Sequence, residues 1–79
     1  MRAAKLSSSL IARIAYMEEE RVLRIWFRHG PLYCYFEVPP EEYEALRRSE
    51  SPGRHYNRAI KGRYRCSYDP DRRRFRPAA

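Results

Sequence analysis

Closely spaced metal ligands, long apolar runs and nucleophile–base pairs are all missing from this 79-residue chain. The two cysteines, Cys34 and Cys66, and the two histidines, His29 and His55, lack the close-pair spacing of a zinc motif. Cys34 lies in the apolar run 32–36 and reads as a core residue. Without a secretory context nothing argues for a disulfide between the two thiols. No apolar run approaches the ~20 residues of a membrane-spanning helix. The start, Met1-Arg2-Ala3-Ala4-Lys5 and then 6–11, resembles a signal peptide only faintly. Ser7-Ser8-Ser9 and Arg13 break it, so a cytoplasmic location without membrane partners is expected. The three serines have no nearby base and read as a strand or turn entry. His29 in a turn and His55 on a helix read as solvated or locally bonded imidazoles. Glu18-Glu19-Glu20 is a charged turn without the spaced oxygens of a calcium or magnesium loop. No catalytic residue, metal or cofactor is therefore assigned, and no enzymatic activity is expected.

Acid is also scarce towards the C-terminal end. The formal net charge is +7, from 17 Lys+Arg against 10 Asp+Glu. From Arg47 onward 11 basic residues meet only Glu50, Asp69 and Asp71, whereas the preceding part is close to neutral. Such asymmetry suggests an anionic partner. Lysine occurs only at Lys5 and Lys61, which makes the chain arginine-rich. Arginine grips phosphate through two parallel hydrogen bonds and stacks on bases, where lysine acts as a point charge.

The pattern of apolar residues predicts an α+β domain, a three-stranded antiparallel β-meander followed by two short helices and a basic C-terminal tail. Residues 10–17 read as a strand with Leu10, Ala12, Ile14 and Tyr16 on one face. Residues 21–28 alternate, Leu23, Ile25 and Phe27 against Arg24, Trp26 and Arg28. Residues 32–38 alternate again, Leu32, Cys34, Phe36 and Val38 against Tyr33, Tyr35 and Glu37. Pro39-Pro40 ends the third strand. Glu41, Glu42 and Glu44 early and Arg47 and Arg48 late give the order that a helix dipole favours. Ser51 as N-cap and Pro52 at the first position open a second helix running to about Tyr64. Gly62 is then a weak point inside it. The domain spans 6–65. The tail, 66–79, is expected to be mobile in isolation, with a hairpin of 63–68 and 72–75 as a minor alternative.

The second helix carries the candidate site. Arg54, Arg58, Lys61 and Arg65 recur at helical spacing and share one face, while Tyr56, Ile60 and Tyr64 fall nearly opposite. A cationic edge thus faces outward from a rigid element, with Arg47, Arg48 and the tail as helpers. Gly53 beside Arg54 offers backbone N–H groups that would suit a phosphate, though ordinary capping is the default. Asn57 is expected as a buried amide tying helix to sheet.

A second candidate surface depends on the turn between the second and third strands. An even loop puts Arg24, Trp26, Arg28, Tyr33 and Tyr35 on one sheet face; an odd one sends both tyrosines to the side of Leu23, Ile25 and Phe27. Pro31 has no N–H to close a two-residue turn and cannot take the left-handed third position of a three-residue loop. A four-residue loop, 29–32, avoids both problems and is favoured. Bases would then stack on Trp26, Tyr33 and Tyr35 while Arg24 and Arg28 hold phosphate. Packing into a core is the competing role for these aromatics.

Several of these residues form a further pattern: Ser7-Ser8-Ser9-Leu10-Ile11, then Leu23-x-Ile25-x-Phe27-x-x-Gly30-x-x-Tyr33-x-Tyr35-x-x-Val38-Pro39, then Tyr43-x-x-Leu46, then Ser51-x-Gly53-x-x-Tyr56-Asn57-x-x-Ile60 with Tyr64. The ordered set resembles the KTSC domain, named after a C-terminal extension of some lysyl-tRNA synthetases and found also as a stand-alone bacterial or phage protein. The chain departs from it at Ala15-Tyr16-Met17, where the family often has Gly-Tyr-Asp, and at Pro52. The resemblance supports the fold, and the synthetase context implies a role with RNA.

The expected function is a non-enzymatic nucleic-acid-binding module, RNA ahead of DNA. The alternative is an interaction or inhibitor module, accessory or phage-type, docking on an acidic protein surface. Either would be a monomer or, through an exposed sheet edge, a weak homodimer.

Overall fold

The computed structural model describes residues 1–69. Five strands, β1 (Arg2–Lys5), β2 (Ile11–Met17), β3 (Val22–Phe27), β4 (Leu32–Tyr35) and β5 (Cys66–Asp69), form one sheet in chain order, every neighbouring pair antiparallel. Between β4 and β5 come α1 (Pro40–Arg48), the short α2 (Pro52–His55) and a π-helical turn (Tyr56–Ile60) continuous with it. The fold is α+β, with a strand beyond each side of the expected three-stranded meander. A three-stranded sheet would leave the outer backbone groups of β2 and β4 unpaired, and β1 and β5 satisfy them. The stretch assigned to the tail therefore contributes β5, and the expected mobility of residues 70–79 falls outside the described residues. Among the described residues no helix is long and apolar enough to cross a membrane.

The helices pack on one face of the sheet. Ile14, Tyr16, Leu23, Ile25 and Tyr35 meet Tyr43 and Leu46 of α1 and Tyr56 and Ile60 of the π-helical turn in the main core. The strand alternation puts a second apolar cluster, Ala15, Val22, Trp26, Leu32 and Cys34, on the opposite face. α1 follows its charge order, with Glu41 and Glu42 in the first turn and Arg47 and Arg48 in the last.

Three local details differ from the sequence reading. First, Ile11 pairs with Phe27 but Arg13 with Trp26, so a bulge shifts the start of β2. Ile11 is fully buried and Leu10, expected inward, is 39% exposed. The Ser8 hydroxyl accepts from the N–H groups of Leu10 (3.1 Å) and Ile11 (3.2 Å), fixing this entry.

Second, the β3–β4 loop is odd. Ile25 pairs with Tyr33 and Leu23 with Tyr35, so both tyrosines join the main core side. Arg28-His29-Gly30 forms the loop, closed by the Phe27 N–H donating to the Pro31 carbonyl at 3.4 Å. Placed one residue beyond the loop, Pro31 serves only as acceptor, and its missing N–H is not needed.

Third, the second helix stops at Ile60. The Lys61 N–H reaches the Tyr56 carbonyl at 2.9 Å, five residues back, which widens the last turn. Gly62 follows with φ +76°, outside the helix and not within it, and turns the chain away before Tyr64 and Arg65.

Candidate nucleic-acid interface

The π-helical turn buries Tyr56 and Ile60 against the sheet, while Arg54 on α2, Arg58 on the turn and Lys61 just after it are exposed. These three enter no ion pair among the described residues. Arg54 and Arg58 line one groove of about 410 Å³ together with Ser49, Ser51 and His55. Arg65 stands apart from the row because the helix has ended. Its guanidinium lies 3.7 Å from Glu37 and 5.4 Å from the Phe36 ring centre. Arg47 and Arg48, both exposed, pair with Glu44 at 2.7 and 3.7 Å, and Arg2 reaches the same carboxylate at 2.8 Å. The hydrogen bonds from Arg47 are the main cause holding the Glu44 carboxyl below its ordinary value.

The proposed basic-aromatic sheet face does not form. Tyr33 and Tyr35 lie on the side opposite Trp26. Tyr35 is 2% exposed, and its hydroxyl shares a 2.5 Å hydrogen bond with that of Tyr56. Burial raises the pKa of both phenols. Trp26 is 7% exposed, with the Arg13 guanidinium 5.0 Å from its ring centre. Arg24 is half-buried on that face. Arg28 donates from Nε to the Ser8 carbonyl (2.8 Å) and from Nη2 to the Leu6 carbonyl (3.0 Å), so it clamps the N-terminal segment.

The odd loop creates a different feature. Tyr33, Phe27 and Tyr56, with Leu10, wall a second groove of about 420 Å³, rimmed by Ser9, His29, Asn57 and Lys61. Phe27 stands edge-on to Tyr33 (centroids 5.4 Å, 72°) and to Tyr56 (5.1 Å, 71°). Asn57, expected in the core, is exposed, and its amide makes no hydrogen bond among the described residues. Segment 52–60 is thus a ridge between two grooves, Arg54 and Arg58 on one side and Tyr56 and Asn57 on the other. Of the residues named from sequence, the structure joins Arg54 with Arg58 and Tyr33 with Lys61. Leu10, Phe27, Tyr56 and Asn57 were missed as a site; only the loop parity and the π-helical turn, neither visible in hydrophobic spacing, bring them together.

Two further contacts hold the ridge. His55 Nε2 lies 2.6 Å from Glu42 Oε2, tying α2 to α1, and the Tyr64 hydroxyl donates to Glu42 Oε1 at 3.5 Å. Gly53 lies against Leu10: a Cβ there would meet Leu10 Cδ2 at 3.3 Å and Cβ at 3.4 Å. Close packing explains the glycine without a phosphate. Among the described residues no three His, Cys, Asp or Glu side chains cluster to hold a metal ion.

Residues 7–64 match the family model of the KTSC domain. The chain belongs to this family. An uncharacterized protein of Stutzerimonas stutzeri is 39% identical over 61 residues, which span 77% of this chain and 86% of that protein. A lysine–tRNA ligase of Nostoc punctiforme is 38% identical over 61 residues, again 77% of this chain but 11% of the ligase. The crystal structure of a KTSC domain protein from Yersinia pestis superposes with a TM-score of 0.81 at 33% identity, covering 85% of this chain and 94% of that one. The second groove is built largely from residues that carry the KTSC pattern, including Leu10, Phe27, Gly30, Tyr33, Tyr56 and Asn57.

Proposed function

We propose that this KTSC domain is a binding module for nucleic acid, RNA ahead of DNA, and not an enzyme. The observation that carries the reading is the ridge: Arg54, Arg58 and Lys61 are exposed, free of internal carboxylates and held on one short backbone segment. Cations fixed this way on the two flanks of one ridge meet the phosphates of a strand without having to order themselves first. The net charge of +7 draws a polyanion toward it. The lysine–tRNA ligase of Nostoc punctiforme, which by its name acts on tRNA, carries a segment similar to this domain, and that favours RNA.

Three phosphate contacts correspond to a salt slope of about −2 for a single strand, or about a twentyfold loss of affinity between 50 and 200 mM salt. Fluorescent single-stranded and duplex RNA and DNA, titrated at both ionic strengths, test this. The variant R58E/K61E is expected to keep the fold and lose binding. A salt-independent affinity, or a double variant that binds normally, would overturn the reading. If partners pulled down from a lysate persist after nuclease treatment, the acidic-protein alternative takes its place.

A further inference from the structure

We propose that the groove walled by Phe27, Tyr33 and Tyr56 holds one unstacked nucleobase, with the Asn57 amide on its edge and Lys61 at its phosphate. The inference rests on the nucleic-acid reading above and names the part of the ligand that this second groove takes. Its floor is aromatic and aliphatic, and Tyr33, partly buried against Tyr35 and Tyr68, keeps part of its surface open within it. A planar heterocycle offers a π-face to such rings. At about 420 Å³ the groove lies near the small end of ligand sites, which run from about 300 to 1,000 Å³; that suits one nucleotide, not a run of stacked bases.

The rim decides the chemistry. Asn57 presents both a donor and an acceptor that no internal partner occupies, the pair needed to read a base edge. Lys61 belongs to this groove and caps the end of the ridge, directly after Ile60. A base seated between Tyr33 and Asn57 has Lys61 on the same rim for its phosphate, and the strand then crosses the ridge to reach Arg58 and Arg54 in the neighbouring groove. An aromatic peptide side chain would fill the floor equally well and its backbone would meet the Asn57 amide, but it brings no phosphate for Lys61, Arg58 and Arg54. The pocket reads one base, and the ridge holds the strand on which it sits.

The test compares a fluorescent oligoribonucleotide with an abasic strand of equal length and charge, using the whole chain. The base-bearing strand is expected to bind about tenfold tighter, and the Asn57 side-chain amide resonances to shift with that strand alone. N57A, an exposed change, should reduce discrimination among the four homopolymers while leaving the salt slope as it was. Y33L, checked for folding by circular dichroism, should narrow the gap between base-bearing and abasic strands. Equal affinity for the two strands with the salt slope intact overturns the pocket and leaves the ridge standing. Binding of neither strand overturns both.

Discussion

The hydroxyl groups of Tyr35 and Tyr56 lie 2.5 Å apart in the core and tie β4 to the π-helical turn. One bond thus joins the sheet to the ridge that carries the cations. Y35F or Y56F leaves the remaining hydroxyl buried without its partner, at a cost of about 1–3 kcal/mol each. Y35F/Y56F removes both groups, so its cost should fall short of the sum of the single variants. Urea denaturation of the three variants measures this; strict additivity would mean that the hydroxyls do not act as a pair.

Tyr35, Tyr43, Tyr56 and Tyr64 all have raised pKa values, and burial is the first cause in each case. The folded state keeps these phenol protons at a pH where the unfolded chain releases them. Stability is therefore unaffected below the ordinary tyrosine value, about 10, and is lost as pH rises beyond it toward the folded values. Thermal melts from neutral to strongly alkaline pH should show a flat Tm followed by a fall. The Y35F/Y56F protein should show a shallower fall.

Gly62 has φ +76° and nothing within 4 Å of where a Cβ would sit. The cost of G62A is then backbone strain alone, about 1–2 kcal/mol, and G62N should cost less because asparagine tolerates the left-handed region. Melting the three proteins side by side checks the order Gly, Asn, Ala. A G62A protein as stable as the parent would contradict the role of this residue in turning the chain.

Arg28 separates structural from binding cations. Its bonds to the carbonyls of Leu6 and Ser8 fix the segment leading into β2. R28A should lower stability by about 1 kcal/mol and leave oligonucleotide affinity within about twofold of the parent. A loss of affinity as large as that of R58E/K61E would put Arg28 back on the binding surface.

Much of the architecture was legible because alternation and charge order are strong local signals. β3 and β4 follow from the two faces of Leu23-Ile25-Phe27 and Leu32-Cys34, and α1 from its acidic start and basic end. β1 was hidden because Arg-Ala-Ala-Lys has no β-branched or aromatic residue, and β5 because its second half overlaps the turn signal Tyr68-Asp69-Pro70-Asp71. Their pairing comes from the neighbours, not from their own propensity. The site suffered more. Moving the loop by one residue, from 29–32 to 28–30, exchanged the faces of Tyr33 and Tyr35. The π-helical turn shortened the cationic row from four members to three. The loop parity and the early end of the helix are both settled by packing across the sheet and not by sequence periodicity.

Spatial order and chain order coincide in the sheet, so the first and last strands border opposite margins. Tension applied between Arg2 and Cys66, which lie on one row across the sheet, would meet the backbone bonds of a marginal strand one rung at a time instead of loading a whole ladder at once. Pulled this way the domain unzips from its edges inward. It would be a mechanically soft link, yielding well before a fold whose terminal strands are paired with each other and sheared along their length.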